Sequence, residues 1–444
     1  MLLPAEADIV RRDPALPGLA TLLDPGAFAA ALRRALPTAP LEAARISYVK
    51  YKPGKNCLVS YRLQVGDETV LAHAKTYRPP ARNELRWARE QSAVPGALGP
   101  GRLVLGDCTS VVSVFPNDSE VTSLPCWTDP EQRRGLLGEL LPDQPDLREC
   151  GLQVLVYKPE RRCVARLDAG GEARLALKVY TELGYQEARG KAAAFASRGP
   201  LRLAPWLGSS DRHATLAFGW RPGRLLSESL EDSHTAPGTL AAVGAAVAQL
   251  HAQRPQGLPY LTREAEAASL LSEANALGLL WPPLARRAED LARRLAARLA
   301  QEPPVRRPVH GDFHARQVLF DDGAVTLLDL DRAVCGDPLL DLGTFIAHLE
   351  REVVRGNLSP GRTGPLREAL LDGYGAATRQ ALPERVALYT AAELLRLAPR
   401  FFRYAEPGWP ERAEAALDRA EAALTAGTPP PSPPPALPEG RRGP

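Results

Sequence analysis

Alternating apolar and polar positions, broken by turn residues, run through the first half of the chain, and further on apolar residues recur at helical spacing. In the first 200 residues the pattern predicts a helix, a hairpin, a strand ending in Lys, a helix carrying Glu and two more strands, and it does so twice. The copies align best at Tyr51-Lys52-Pro53-Gly54-Lys55-Asn56-Cys57 and Tyr157-Lys158-Pro159-Glu160-Arg161-Arg162-Cys163. Upstream, Leu23-Asp24-Pro25 and Thr128-Asp129-Pro130 each precede a helix; downstream, Ala74-Lys75-Thr76-Tyr77 matches Leu177-Lys178-Val179-Tyr180. Glu84 and Glu187 each follow the Lys by nine residues, and Val111–Phe115 stands where Ala214–Phe218 stands in the second copy. Two copies of one module, roughly 100 residues each, account for this most simply.

Past the turn Trp220-Arg221-Pro222-Gly223 the chain reads as mainly helical. Leu240, Val243, Val247 and Leu250 lie on one helical stripe, as do Leu284, Leu291, Leu295 and Leu299, with Glu289 and Arg293 as an i,i+4 pair. Further helices are expected over residues 366–374, 388–402 and 411–424, and another after Asp337, which can cap it, with Pro338 at its first position and Asp341 at its positive end. Between these helices lie two short apolar runs, 317–320 and 324–330, around the turn Asp321-Asp322-Gly323, the pattern of a hairpin that carries carboxylates out of a core. The Pro-rich stretch from Gly427 cannot build a core and reads as disordered.

Length and composition change this picture little. The chain has 444 residues, enough for two or three domains, and its net charge of +3 gives little support to a polyanion-binding or nucleic-acid role. Six scattered cysteines form no metal-ligand spacing and read as free thiols of a reducing cytosol. With neither a signal-peptide pattern at the start nor a membrane-length apolar run, a cytoplasmic protein is expected.

The candidate chemistry lies in Asp312-x-x-x-x-Gln317 followed by Asp329. Phosphoryl transfer to a hydroxyl needs one carboxylate to orient the acceptor and take its proton, and an amide oxygen with a second carboxylate to hold magnesium against the nucleotide. That assigns Asp312 as base and Gln317 and Asp329 as metal ligands. Lys178 at a strand end, with Glu187 on the following helix, has the order of an ion pair that fixes an ammonium toward nucleotide phosphates. His314, beside the base, reads equally as an acceptor contact or a hydrogen-bonded brace, and Cys335 as packing.

His310-Gly311-Asp312-x-x-x-x-Gln317, Leu328-Asp329-Leu330-Asp331-Arg332 and Gly336-Asp337-Pro338-x-x-Asp341-Leu342-Gly343 resemble the catalytic core of the aminoglycoside phosphotransferase and choline kinase family. Leu250-His251-Ala252 and Phe218–Gly223 resemble the family's helix end and hinge, and the likeness runs over about residues 118 to 425. The resemblance implies an α+β, bilobal, protein-kinase-like fold, with an antiparallel-sheet N-lobe and a mainly helical C-lobe, binding ATP or GTP with magnesium between the lobes. It makes Asp312 the catalytic base, Asp329 the metal-binding Asp, Lys178 the phosphate-contacting Lys and Glu187 its partner. His310 and Asp341 would brace the catalytic loop, and the backbone of Ala217, Phe218 and Gly219 would bond the base. The chain then divides into an extra N-lobe-like module (1–116), a kinase-like N-lobe (117–220), the C-lobe (221–426) and the tail (427–444).

Three features depart from the family pattern. Gln317 stands where Asn is usual, and its extra methylene displaces the amide oxygen by roughly 1 to 1.5 Å unless the loop has shifted, a misplacement worth on the order of 100-fold in rate. Asp331 adds a second carboxylate that reads as the partner of Arg332 or another cation rather than as a direct magnesium ligand. The turn Lys158-Pro159-Glu160-Arg161-Arg162 has no glycine-rich phosphate cradle; Arg161 and Arg162 read there as substitutes by charge or as a solvated turn. No catalytic hairpin follows Lys75 and Glu84 in the first copy, which points to a packing or partner-binding role, self-association included. Two functions follow: a kinase that phosphorylates a hydroxyl of a sugar, metabolite or antibiotic, or a nucleotide-binding regulatory or scaffold protein that has lost efficient transfer. The acceptor-side helices carry both charge signs, which argues against a polycationic acceptor.

Overall fold

The computed structural model describes residues 2–231, 237–321, 323–380 and 385–426; the Pro-rich tail and Asp322 lie outside them. In the first copy, the Asp24 side chain accepts from the Gly26 and Ala27 N–H groups at 2.9 and 3.1 Å and so caps the helix Pro25–Ala35. Strands Leu41–Lys52, Asn56–Val65 and Glu68–Tyr77 form an antiparallel meander, completed by Ser110–Val114 and then Arg102–Leu105 at the far edge.

The second copy repeats every step. Asp129 caps Pro130–Leu140, and Gly151–Lys158, Arg162–Ala169, Glu172–Tyr180, Thr215–Gly219 and Trp206–Ser210 form a second five-stranded sheet in the same spatial order. Register agrees as well: Lys75 pairs with Leu58 and Val111, and Lys178 with Val164 and Leu216. Because side chains alternate along a strand, equal register puts the two lysines on equivalent faces.

The copies differ in what covers them. The apolar residues of the first, including Phe28, Leu63 and Val112, join one continuous core with the helical body, whereas those of the second, including Trp127, Leu137 and Leu177, form a core of their own. Arg12 donates to the Leu279 and Leu280 carbonyls at 2.7 and 2.8 Å, and Trp409 to Glu6 at 3.0 Å, so the first copy is fastened to the helices at its outer end.

The helical body comprises Pro237–His251, Arg263–Leu280, Ala285–Gln301, Leu339–Arg355, Pro360–Thr378, Val386–Leu397 and Trp409–Ala426. A single helix expected over residues 388–402 is interrupted: Pro399, which has no N–H to donate, separates Val386–Leu397 from the short Arg400–Arg403. The hairpin after Asp312 pairs Val318–Asp321 with Ala324–Leu327, and Leu201–Leu203 adds to it in parallel. Its second strand ends at Leu327 rather than continuing to Leu330, because Asp329 takes a left-handed conformation (φ +63°) and a short 3-10 turn, Leu330–Arg332, follows. Sheet followed by helical body gives the expected α+β two-lobed architecture, preceded by a second sheet of N-lobe topology. No helix among the described residues is long and apolar enough to cross a membrane.

Candidate active site

Asp341 organises the loop that carries Asp312. Its two carboxylate oxygens accept from the His310 and Gly311 N–H groups at 2.7 and 2.9 Å, and His251 Nε2 lies 2.9 Å from Oδ2. His251 is held in turn by the Tyr374 hydroxyl at 3.0 Å. Burial pushes the Asp341 carboxyl upward, but these bonds and the neighbouring imidazoles prevail and hold it below the usual carboxylate range. His310 Nε2 bonds the Leu328 carbonyl at 2.7 Å and so ties the loop to the strand leading to Asp329. Gly311 has φ +77°, and a β-carbon there would lie 2.3 Å from the Arg332 carbonyl oxygen, so only glycine fits. Asp341 does complement the start of Leu339–Arg355, yet its main work is on the loop; Asp337 makes the cap, accepting from the Leu339 N–H at 3.0 Å.

This scaffold leaves the Asp312 carboxylate with no hydrogen bond among the described residues. Burial favours its neutral form, but the neighbouring guanidinium groups of Arg332 and Arg400 outweigh that and lower its pKa. Burial brings His314 down to about 4; its ring stacks on His348 with centroids 4.3 Å apart, and its Nδ1 accepts from the Arg316 N–H at 3.3 Å. His314 is thus a braced side chain that also lines a small open cleft with Arg316, Phe345, His348, Glu352 and Asn357.

Gln317 and Asp329 meet at the base of the hairpin, with Gln317 Nε2 3.4 Å from Asp329 Oδ2. The dominant contacts of Asp329 are cationic and come from the second copy. Lys178 Nζ donates to Asp329 at 2.8 Å and to Asp331 at 3.0 Å. Arg162 forks onto both Asp329 oxygens at 3.0 and 2.7 Å and also donates to Asp331, and the Tyr180 hydroxyl donates to Asp331 at 3.0 Å. Burial opposes the charge on Asp329, but Lys178 and Arg162 hold it well below the usual range; the same pairing keeps buried Lys178 protonated. Asp329 and Asp331 supply hard carboxylate oxygens of the kind magnesium takes, here engaged by Lys178, Arg162 and Tyr180, and Gln317 turns its amide nitrogen toward Asp329.

Two sequence assignments change. Glu187 is exposed and is not the partner of Lys178: Tyr185 and Ala188 take the inward positions of Glu182–Ala192 and leave Glu187 on the opposite face. The backbone of Ala217, Phe218 and Gly219 lies in an interior strand paired on both sides; the Gly219 N–H goes to Pro205 and the Trp220 N–H to Arg174, so the groups expected to meet a nucleotide base are largely engaged in the sheet. Phe218 contributes its ring, with Lys178 Nζ 5.5 Å from the centroid.

Arg162 is a member of the site that the sequence left as charge substitute or solvated turn. The signal lay in the register: Arg162 pairs with Tyr180, two residues beyond Lys178, so alternation puts all three on one face. Asp331, read as the partner of Arg332 or another cation, pairs with Lys178 and Arg162.

A model described as "Phosphotransferase enzyme family" matches residues 152–389. Among solved structures, the chain is similar to a choline/ethanolamine kinase family protein from Mesorhizobium loti, with 19% identity over 66% of this chain and 94% of that one and a TM-score of 0.45. It is also similar to a thermostable mutant of aminoglycoside phosphotransferase APH(4)-Ia in complex with ADP and hygromycin B, at 18% identity, 67% and 99% coverage and a TM-score of 0.47. Choline kinase from Cryptosporidium parvum Iowa II matches at 11% identity, 67% and 96% coverage and a TM-score of 0.49. A search of curated proteins finds no match.

Proposed function

The chain belongs to the phosphotransferase enzyme family, and on that premise we propose that it transfers the terminal phosphoryl group of ATP or GTP to a hydroxyl of a small molecule. The observation that carries this reading is the meeting of Lys178, from the N-lobe sheet, with Asp329, from the C-lobe hairpin, at 2.8 Å. One cation from the sheet and one carboxylate from the hairpin at a single place are the residue types that phosphoryl transfer uses around a nucleotide's phosphates, and this supports the reading.

In this reading Asp312 orients the acceptor hydroxyl and receives its proton. The guanidinium groups of Arg332 and Arg400 keep it ionised, which makes it a weak base but a constant hydrogen-bond acceptor. Lys178 and Arg162 bind phosphate oxygens, with Arg162 supplying by charge what a glycine-rich loop supplies by backbone amides. Asp329 and Gln317 hold magnesium, which when bound offsets the charge of the phosphates. The Asp341 network fixes the loop so that Asp312 does not drift.

On the acceptor side the cations beside Asp312, and the Arg316 and Glu352 pair 3.9 Å apart in the cleft, favour a neutral or anionic hydroxylated molecule over a polycation. The test supplies ATP or GTP, magnesium and a panel of sugars, hydroxylated metabolites and antibiotics to the protein and to Asp312→Ala. At least one acceptor should turn over, with a loss of about 100-fold or more in the variant. Nucleotide binding without turnover of any acceptor would instead favour the regulatory reading. Gln317→Asn sharpens the metal site: unchanged or reduced turnover means that the loop has adapted to Gln, and a large gain means that the native site is impaired.

A further inference from the structure

Lys75, the first copy's counterpart of Lys178, faces no catalytic hairpin. Its Nζ donates to Glu160 Oε1 at 2.7 Å, and both side chains are largely withdrawn from solvent, at 18% and 9% exposure. Glu160 sits at the tip of the second copy's hairpin, two residues before Arg162.

The first copy has Gly54 at this position, with φ +66°; Glu160 has nearly the same backbone, φ +55°. A residue with a β-carbon pays roughly 1 kcal/mol or more for that conformation, so the carboxylate is present at a cost that its contacts must offset. Three side chains fix the turn. The Glu160 N–H donates to Asp118 Oδ2 at 2.9 Å, the Tyr157 hydroxyl donates to the same oxygen at 2.7 Å, and Ser119 Oγ lies 3.4 Å from Glu160 Oε1. His73, on the same first-copy strand as Lys75, has its Nδ1 3.3 Å from the Tyr157 hydroxyl. The first copy thus grips the hairpin at Tyr157 and Glu160, and the strand leaving that grip begins with Arg162, whose guanidinium lies on Asp329 and Asp331.

We infer that Lys75 is a positioning residue for nucleotide binding: by holding Glu160 it fixes the hairpin turn from which Arg162 reaches the phosphate and magnesium site. The duplicated module is then an internal brace that replaces a glycine-rich phosphate loop with a clamped turn and an arginine. Without the clamp, the cost of ordering the turn falls on nucleotide binding. The inference rests on the proposed phosphoryl transfer only through its nucleotide site and needs no acceptor to test.

The experiment titrates the full chain, by calorimetry, with MgADP and with the magnesium complex of a non-hydrolysable ATP analogue. Lys75→Met and Glu160→Gln should each weaken binding about tenfold, and Lys75→Arg should restore it to within about twofold of the parent. Arg162→Ala gives the decisive cycle. If Lys75 acts through Arg162, adding Lys75→Met to Arg162→Ala costs little more; additive losses overturn the inference, as does unchanged binding by Lys75→Met and Glu160→Gln. Should Lys75→Met fail to fold, Glu160→Gln, which keeps the shape of the turn, decides alone. A parent protein that binds neither nucleotide overturns the proposed function and this inference together, whereas a binding parent with unaffected variants overturns only the inference.

Discussion

The two copies share a sheet order, a register, a capped leading helix and even a clasp. In the first, Asp13 Oδ2 accepts from the Gly54 N–H and the Tyr51 hydroxyl, each at 2.8 Å. In the second, Asp118 Oδ2 accepts from the Glu160 N–H and the Tyr157 hydroxyl. The differences that bear on the site lie at the hairpin tip, where Gly54 and Asn56 are replaced by Glu160 and Arg162, and in what each lysine meets. Lys178 meets the carboxylates of the catalytic hairpin; Lys75 meets the other copy. One backbone is used twice, and only in the second copy does a second lobe bring the carboxylates of the Gln317–Asp331 segment to its lysine, so like folds meet unlike surroundings within a single chain.

The largest expected contrast is between the lysines. Lys178→Met should lower kcat/KM by at least about 100-fold, because a charge at the transferred group is lost, whereas Lys75→Met should act mainly through nucleotide affinity. Steady-state kinetics on a responsive acceptor checks this, and equal losses with the same split between kcat and KM would break the comparison. Next come the clasps. Asp13→Ala leaves one backbone N–H and a tyrosine hydroxyl without their acceptor and should cost about 2 kcal/mol in urea unfolding; Asp118→Ala, which also frees the Glu120 and Val121 N–H groups, should cost more, and only it should also weaken MgADP binding.

A smaller effect is expected at the tips. Gly54→Ala meets open space but an unfavourable left-handed backbone, for a loss of about 1 kcal/mol, while Glu160→Gly exchanges relief of that strain for loss of the Lys75 bond and should stay within about 1 kcal/mol of the parent. The pH profile should be nearly flat on its acid side. Asp312 is held below its ordinary value and His314 near 4, so both have already lost their protons at neutral pH, and kcat/KM should fall only as pH drops toward about 4. An inflection near pH 6.5 that disappears in His314→Gln would assign the imidazole a titrating role that its burial disfavours. Least of all, Glu84→Gln and Glu187→Gln should leave activity within about twofold, since both side chains are exposed.

Glu187 and Arg162 show where sequence reading stops. The nine-residue spacing put a glutamate on the helix after the strand correctly, because helix and strand follow from local periodicity. Which face of that helix turns inward depends on packing, and Tyr185 and Ala188 claim it. Arg162 sits in a polar turn sequence that has no local signature of burial; only the pairing of its strand with Glu172–Tyr180 and the closure of the two lobes carry it to Asp329.

The sequence by itself determined the duplication, the two sheets and their lysines, the catalytic loop around Asp312, and the hairpin that joins Gln317 to Asp329. Each of these is written in alternation, turn residues or motif spacing, which act over a few residues. The partners of the charges were decided by tertiary structure alone: Lys178 and Arg162 with Asp329 and Asp331, Lys75 with Glu160, Asp341 with the loop and His251. A buried charge takes whichever opposite charge the packing brings within reach, and most of these pairs lie far apart along the chain.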